Sequence, residues 1–369
     1  MDEFFFELIR VAIGTVDSLL HIPSNKEWKA LYDMARKQSL VGVCFAALQR
    51  LGADADEGFA RIGISEMMYL TWMGMTAKIQ QKNQTVDEQC VALQKRLSAD
   101  GLRSCILKGQ GVASLYSEHL LGLRQSGDID IWIDGGWEQV MNYVNARTPN
   151  REFDMKHTHY EAFEDTVVET HWRPSVSSDP LVNRKLTDYF EREKERQFSN
   201  KVKLSDGLEI CAPTADFQLV HAMLHVYGHF LYEGVGMRQM MDLYFAQKAA
   251  QADDDHIEKT LKSLGMMRFV AATQYVMQEV FGMSKEEMLC DPDIKCGKEL
   301  LNEIMIGGNF GHHNEENKVK GETFAQRMKS HLKRRIRLIR FNPMGMLFAP
   351  FGKVRVLLWK RRVIKKYNL

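Results

Sequence analysis

Residues 105–134 read CILKGQGVASLYSEHLLGLRQSGDIDIWID, and this stretch decides the fold. Cys105, Ile106 and Leu107 have the composition of a short buried strand, and Lys108-Gly109-Gln110-Gly111 that of a tight turn. Val112, Leu115 and Tyr116 are spaced for an amphipathic helix, Arg124 falls in a loop, and Asp128 to Ile133 is expected as a second strand. Side chains alternate along a strand, so Asp128 and Asp130 share one face while Ile129, Ile131 and Ile133 share the other. The isoleucines belong to a core. Adjacent aspartates repel each other and are poor strand formers, so a cation between them is expected. A divalent metal is the simplest such partner. Magnesium takes oxygen ligands, and two metals can clamp the attacking and leaving oxygens of a phosphoryl or nucleotidyl transfer. In a plainer reading Asp128 ends the strand, Asp130 faces water and Arg124 neutralises both.

The neighbours of this pair favour the metal. Upstream, Gly109 and Gly111 let backbone N–H groups approach a phosphate, and Lys108 adds a positive charge, although glycines also simply permit turns. Downstream, Thr166 to Trp172 reads as a further strand in which Glu169 and His171 share a face, which supplies a third carboxylate from a neighbouring strand.

Leu107-Lys108-Gly109, then Arg124 with Gly127-Asp128-Ile129-Asp130, then Val168-Glu169-Thr170-His171-Trp172 together resemble a bacterial family of uncharacterised nucleotidyltransferases within the DNA polymerase β-type superfamily. The motif-bearing likeness covers roughly residues 100–175. It implies an α+β fold with a small mixed sheet flanked by helical regions. It also implies transfer of a nucleoside monophosphate from a nucleoside triphosphate, ATP being the expected one, to an acceptor hydroxyl. Asp128, Asp130 and Glu169 match the catalytic carboxylates that hold Mg²⁺ or Mn²⁺, and Glu169 is the one that helps activate the acceptor. Gly109 matches the glycine beside the triphosphate, and Lys108, Arg124, Gly127, His171 and Arg238 are candidates for nucleotide contact. Many superfamily members follow that glycine with Gly or Ser. Here Gln110 intervenes and Gly111 comes one place later.

The chain of 369 residues is long enough for several domains, and 45% hydrophobic with 26% charged residues is ordinary globular composition. Regions are expected at 1–98 (helical), 99–205 (the α/β core), 206–340 (helical) and 341–369 (a basic amphipathic tail). A net charge of +1 gives no global case for nucleic acid, which is not an expected partner. The acidic start Met1-Asp2-Glu3 and the lack of a long apolar run point to a cytoplasmic protein. Six cysteines without CxxC spacing read as reduced thiols, and the 21 methionines as core filler.

Within the N-terminal region Trp28, Leu31, Tyr32 and Ala35 recur at helical spacing, and Ile64 to Leu97 is one long helix or two. Lys156 to Phe163 and Val167 to Trp172 read as a hairpin with His157, His159 and Glu161 on one face; the histidines are expected to hydrogen-bond or face substrate. His221, His225 and His229 form a stripe that could bind zinc, but the Glu of a His-Glu-x-x-His hydrolase is absent. Arg238 and Asp242 form an i, i+4 pair, and Arg238 is a further candidate for phosphate.

The end of the chain is basic. Lys333, Arg334, Arg335, Arg337 and Arg340 precede Pro343, and Arg355, Lys360, Arg361, Arg362, Lys365 and Lys366 follow it, with Glu322 the nearby acid. Val356, Trp359 and Val363 make an apolar stripe that can dock on the protein's own core, while the basic side suits an anionic membrane surface. The acceptor is expected to be a small molecule or a protein. Two rivals stand beside transfer chemistry: a non-catalytic nucleotidyltransferase-like module that binds nucleotide or a partner, and a zinc hydrolase built on the histidine stripe.

Overall fold

Ile129, Ile131 and Ile133 anchor β2 (Ile129–Ile133), an inner strand of a four-stranded sheet, and each is at most 2% exposed. The computed structural model describes residues 1–53, 58–148, 152–204, 207–250, 254–309 and 336–367. Lys333, Arg334, Arg335 and Glu322 lie outside the described residues. The fold is mixed α+β. Antiparallel to β2 runs β1 (Ser104–Ile106), and parallel to it β4 (Val168–His171), which pairs in turn with antiparallel β3 (His157–Tyr160). The expected hairpin is β3–β4. The parallel β2–β4 pair requires a crossover, and α7 (Trp137–Asn145) supplies it.

The isoleucine face packs on α7 through Val140 and Val144. It also packs on the C-terminal half of α5 (Glu66–Ala99) through Val86, Cys90, Leu93 and Leu97. The region from residue 66 onward is thus one continuous helix. Before it come α1 (Asp2–Ile13), α2 (Asn25–Lys37), α3 (Val41–Arg50) and α4 (Gly58–Ile62). A Ser24–Glu27 capping box starts α2, whose Trp28, Leu31, Tyr32 and Ala35 are buried as their spacing predicts. After the sheet come α8 (Pro180–Ser199), a small hairpin of β5 (Lys201–Lys203) and β6 (Glu209–Cys211), α9 (Ala215–Tyr232) and α10 (Met237–Ala249). Then follow α11 (Asp254–Ser263), α12 (Met267–Phe281), α13 (Ile294–Gly307) and α14 (Pro343–Tyr367). Helices from both ends of the chain share one apolar core. All six cysteines are free thiols. Among the described residues no helix is long and apolar enough to cross a membrane.

Two local readings need correction. The helix after the glycine turn is a single turn, α6 (Gln110–Ala113), instead of a longer element carrying Leu115 and Tyr116. The Ser114 hydroxyl donates to the Gly111 carbonyl at 2.7 Å, a local bond that competes with helix propagation. The second correction is that β2 begins at Ile129, so Asp128 lies just outside the strand.

The glycines of the turn do different jobs. Gly109 has φ +58°, a conformation that L side chains rarely adopt. Gly111 has no such requirement; a Cβ there would lie 2.6 Å from the Ile106 carbonyl oxygen and 3.0 Å from Gln218 Nε2. It lets α6 pack directly on β1 and α9. Gly111→Ala is therefore expected to destabilise the fold by about 1–3 kcal/mol, the range for overpacking, measured by denaturant unfolding.

Candidate active site

On the face of the sheet opposite the isoleucines, register does the assembling. Asp130 is paired with Glu169 across the parallel strands, Glu169 with His159 across the hairpin, and His171 with His157. With side chains alternating by two, all five project from the same face. His171 Nε2 lies 2.9 Å from Asp130 Oδ1 and 3.4 Å from Glu169 Oε2. His157 Nδ1 is 3.3 Å from Glu169 Oε2, and His159 Nε2 3.8 Å from Glu169 Oε1. From the turn after β1, Lys108 Nζ reaches Asp130 Oδ1 at 2.7 Å.

Charges are balanced unevenly in this cluster. Burial works against the Asp130 carboxylate, yet Lys108 and then His171 hold its pKa well below the ordinary value. His171 answers with a raised pKa: burial opposes its charge, and hydrogen bonds to Asp130 and Glu169 overcome that. Glu169 is also held low: burial works against its charge, and the bond from His171 together with the charges of His171 and His157 outweighs it. Lys108 is pushed up, because Asp130, Asp128 and Glu169 together outweigh its burial. Asp128 is different. Repulsion from Asp130, with burial second, raises its pKa, so it carries a negative charge that nearby groups leave incompletely compensated.

The carboxylates border a cavity of about 350 Å³, lined by Lys108, Gly109, Gly127, Asp128, Asp130 and Glu169 on the sheet side and by residues of α9 and α10 on the other. Arg124 and Arg238 also reach its wall. Arg124 is buried and forks onto Asp242, Nε to Oδ1 at 2.7 Å and Nη2 to Oδ2 at 2.8 Å, and Tyr116 donates to the same carboxylate at 2.8 Å. Asp242 is therefore the partner of Arg124, across 118 residues of sequence, more than of its helix neighbour Arg238. Arg238 donates to the Gln125 carbonyl at 2.7 Å, and burial beside Arg124 brings its pKa down to about 10.

The histidine stripe on α9 divides. Buried His221 lies 3.3 Å from the Pro174 carbonyl through Nε2, and His229 Nδ1 meets Glu233 at 2.7 Å. Among the described residues the groups positioned to hold an ion are Asp130, Glu169 and His171, and His157, His159 and Glu169, each with ligand atoms within 4.8 Å; the α9 stripe is not among them. The zinc-hydrolase rival thus lacks its ligand set. Sequence reasoning gave His157 and His159 no place at a carboxylate and gave Lys108 to phosphate. The signal for the histidines was in the alternation: in a tight hairpin, His-x-His and Glu-x-His must meet on one face.

A small mixed sheet bearing carboxylates on paired strands beside a glycine turn defines a protein of the nucleotidyltransferase class. A family model described as uncharacterised nucleotidyltransferase matches residues 24–282, and the chain belongs to that family. The match extends well beyond the motif-bearing strands into both helical flanks. Among solved structures, an antigenic nucleotidyltransferase-like protein from Paracoccidioides brasiliensis is similar at 13% identity, covering 53% of this chain and 96% of that one, with a TM-score of 0.30. No curated protein matches.

The donor set fits a divalent cation. Asp130 and Glu169 converge, Asp128 is raised in pKa by a like charge that a cation would relieve, and carboxylates suit magnesium or manganese. Opposite effects on stability follow in the metal-free protein. Asp130→Asn strands Lys108 and His171 in buried surroundings and is expected to cost about 3 kcal/mol or more. Asp128→Asn removes a repulsion and is expected to stabilise slightly, by less than about 1 kcal/mol, because solvent reaches this side chain on the cavity wall and screens it. The Asp128 pKa is raised on folding, so its charge costs stability above that pKa and the cost disappears as pH falls through it; the advantage of Asp128→Asn should vanish with it. Thermal melts of both variants across acidic pH check these signs.

Proposed function

We propose that the protein is a metal-dependent nucleotidyltransferase that moves a nucleoside monophosphate from an NTP, ATP in the first instance, to an acceptor hydroxyl. The observation that carries this reading is the in-register pairing of Asp130 with Glu169, with Asp128 one residue ahead of the strand on the same cavity. Asp128, Asp130 and Glu169 would hold Mg²⁺ or Mn²⁺, which supplies charge neutralisation at the phosphates and at the attacking and leaving oxygens. The chain's own residues do the rest. Lys108 and the Gly109 turn face the cavity where the triphosphate would lie, and His171 fixes the orientation of Asp130. The acceptor oxygen bonds to the α-phosphorus, the bond from that phosphorus to the bridging oxygen breaks, and pyrophosphate leaves with the electron pair. Glu169 takes the hydroxyl proton. Catalysis here is mainly positioning and electrostatics.

Calorimetric titration with Mg²⁺ and a non-hydrolysable ATP analogue tests the site. Binding is expected for the wild type and should weaken at least about tenfold in Asp128→Asn and Glu169→Gln, a loss of about 1.4 kcal/mol. Unchanged binding in both variants would remove the carboxylates from the proposal.

One observation favours a second reading, a nucleotidyltransferase-like module that binds nucleotide or a partner without transfer. The Lys108 ammonium, 2.7 Å from Asp130 Oδ1, already occupies a place where a cation would sit. Incubation with α-labelled NTPs and cell extract separates the two, because only the enzyme transfers label and releases pyrophosphate.

A cytoplasmic location and peripheral contact with an anionic membrane complete the proposal. The docked side of α14 rests on the core through Val363, which is 0% exposed, and through Trp359, whose ring centroid lies 6.0 Å from that of Trp137 and 5.9 Å from that of Trp172. Its outward side exposes Phe351, Val354, Leu357, Leu358 and Ile364 among Lys353, Arg361, Arg362 and Lys365, and the helix contains no acid. That mixture suits an anionic lipid surface. Co-sedimentation with phosphatidylglycerol vesicles, and not with phosphatidylcholine alone, is expected, and Arg361→Glu with Lys365→Glu should abolish it.

A further inference from the structure

Beside the carboxylate cavity lies a larger one of about 490 Å³. The two share Lys108, Asp154, Lys156, His221, His225, His229 and Glu233 as common wall, so a molecule in the larger cavity can present one end to the smaller. Their characters differ. The smaller holds the carboxylates, whereas the larger is walled by Val176, Val182, Leu186, Leu224, Leu231 and Met266. The inner side of α14 lines it with Gly352, Arg355, Val356 and Lys360. Gly352 sits tightly there: a Cβ would be 2.6 Å from Ser178 Cβ.

Two features show what the apolar space would recognise. The first is charge. Arg355 and Lys360 enter from α14 and Lys156 from the β3 approach, while the acids on the wall are engaged elsewhere. Asp154 accepts from the backbone of Lys156 and His157 at 2.7 and 3.0 Å, and Glu233 holds His229. Arg173 is close enough to Arg355 for the two guanidiniums to repel, second only to burial in lowering the Arg173 pKa. The second feature is an orphan. His221, 3% exposed and on the wall common to both cavities, has a buried Nδ1 with no hydrogen-bond partner. Its Nε2–H is directed to the Pro174 carbonyl, which leaves Nδ1 as a buried acceptor without a partner beside the wall that the cavities share.

We infer that the larger cavity is the acceptor site and that the acceptor is an anionic amphiphile: an apolar chain or ring system with a carboxylate or phosphate at the Arg355 and Lys360 end and a hydroxyl delivered past His221 to the carboxylate cavity. This rests on the nucleotidyl-transfer reading for the role of the hydroxyl, and the binding site stands by itself. The volume admits a body of drug-like size. The hydroxyl oxygen bonds the α-phosphorus while its proton goes to Glu169, the bond from that phosphorus to the bridging oxygen breaks, and pyrophosphate departs.

The test uses the full chain and a fluorescent probe, 11-(dansylamino)undecanoic acid, with its methyl ester as the uncharged arm. Saturable binding of the acid to the wild type is expected. Arg355→Glu with Lys360→Glu should weaken the acid about tenfold and leave the ester nearly unchanged. Val176→Trp, in the loop on the cavity wall, should weaken both. Arg361→Glu with Lys365→Glu, on the outward side of α14, should weaken neither, which separates the cavity from the exposed helix face. Circular dichroism melts establish that each variant is folded. No saturable binding of either probe, equal loss with the outward-face variant, or full displacement by the Mg²⁺-loaded ATP analogue would overturn the inference. The last result would make the cavity the nucleotide's. Asp128→Asn is expected to bind nucleotide at least about tenfold more weakly and to retain the probe. If the wild type binds the probe but no nucleotide, transfer fails and the acceptor role fails with it; if it binds nucleotide but no probe, the acceptor inference alone falls.

Discussion

The parallel pairing of β2 with β4 sets Asp130 beside Glu169, and the rest of the site follows from that register. Neighbouring strands run about 4.8 Å apart, so two carboxylates at paired positions on one buried face repel strongly unless cations intervene. The protein supplies two of its own, the Lys108 ammonium and the raised-pKa imidazole of His171. A one-residue slip of either strand would turn one carboxylate into the isoleucine core, where nothing could compensate it. The apolar face thereby enforces the polar one: Ile129, Ile131 and Ile133 lock the register that brings the acids together.

A second constraint holds the chain entering β2. Arg124 is clamped by Asp242 of α10 through two short bonds, and Asn83 of α5 donates to the carbonyls of Gly122 and Arg124 at 2.6 and 2.8 Å. The loop that delivers Gly127 and Asp128 is therefore tied to helices on both sides of it. A buried, bidentate, charge-assisted pair is costly to break by removing one partner. That gives the helical flanks a task the sequence assigned only vaguely: they fix where the exposed Asp128 stands relative to the buried Asp130. Arg124 acts on nucleotide, if at all, from a place already set by Asp242.

Much of this was legible in the residues. Alternation separated the isoleucines from Asp130, the Val-Glu-Thr-His run gave a neighbouring strand, and helical spacing in residues 28–35 gave a buried stripe. Family membership, too, was readable from the Lys-Gly, Gly-Asp-Ile-Asp and Glu-x-His-Trp elements. What was not legible depended on long-range partners. Nothing local to Arg124 points to Asp242, 118 residues away. Nothing local to Lys108 decides between a phosphate and Asp130. Apolar spacing favours a longer α6 than the competing Ser114 hydroxyl allows, and side-chain alternation extends the strand to Asp128 although pairing begins only at Ile129.

The two cavities explain why a sheet this small carries so much helix. Four short strands can align carboxylates, but they cannot enclose a substrate. Enclosure comes from α9, which separates the polar space from the apolar one and places His221 on the wall of both, and from α14, whose inner side lines the larger space. A polar acceptor would need hydrogen-bonding walls, because each buried polar group left unpaired costs free energy. The larger cavity instead combines aliphatic walls with Arg355 and Lys360 of α14 and, on the wall it shares with the smaller one, Lys108, Lys156 and His221. An apolar body carrying one anionic group fits those walls, and the shared wall is where its hydroxyl would meet Asp130 and Glu169.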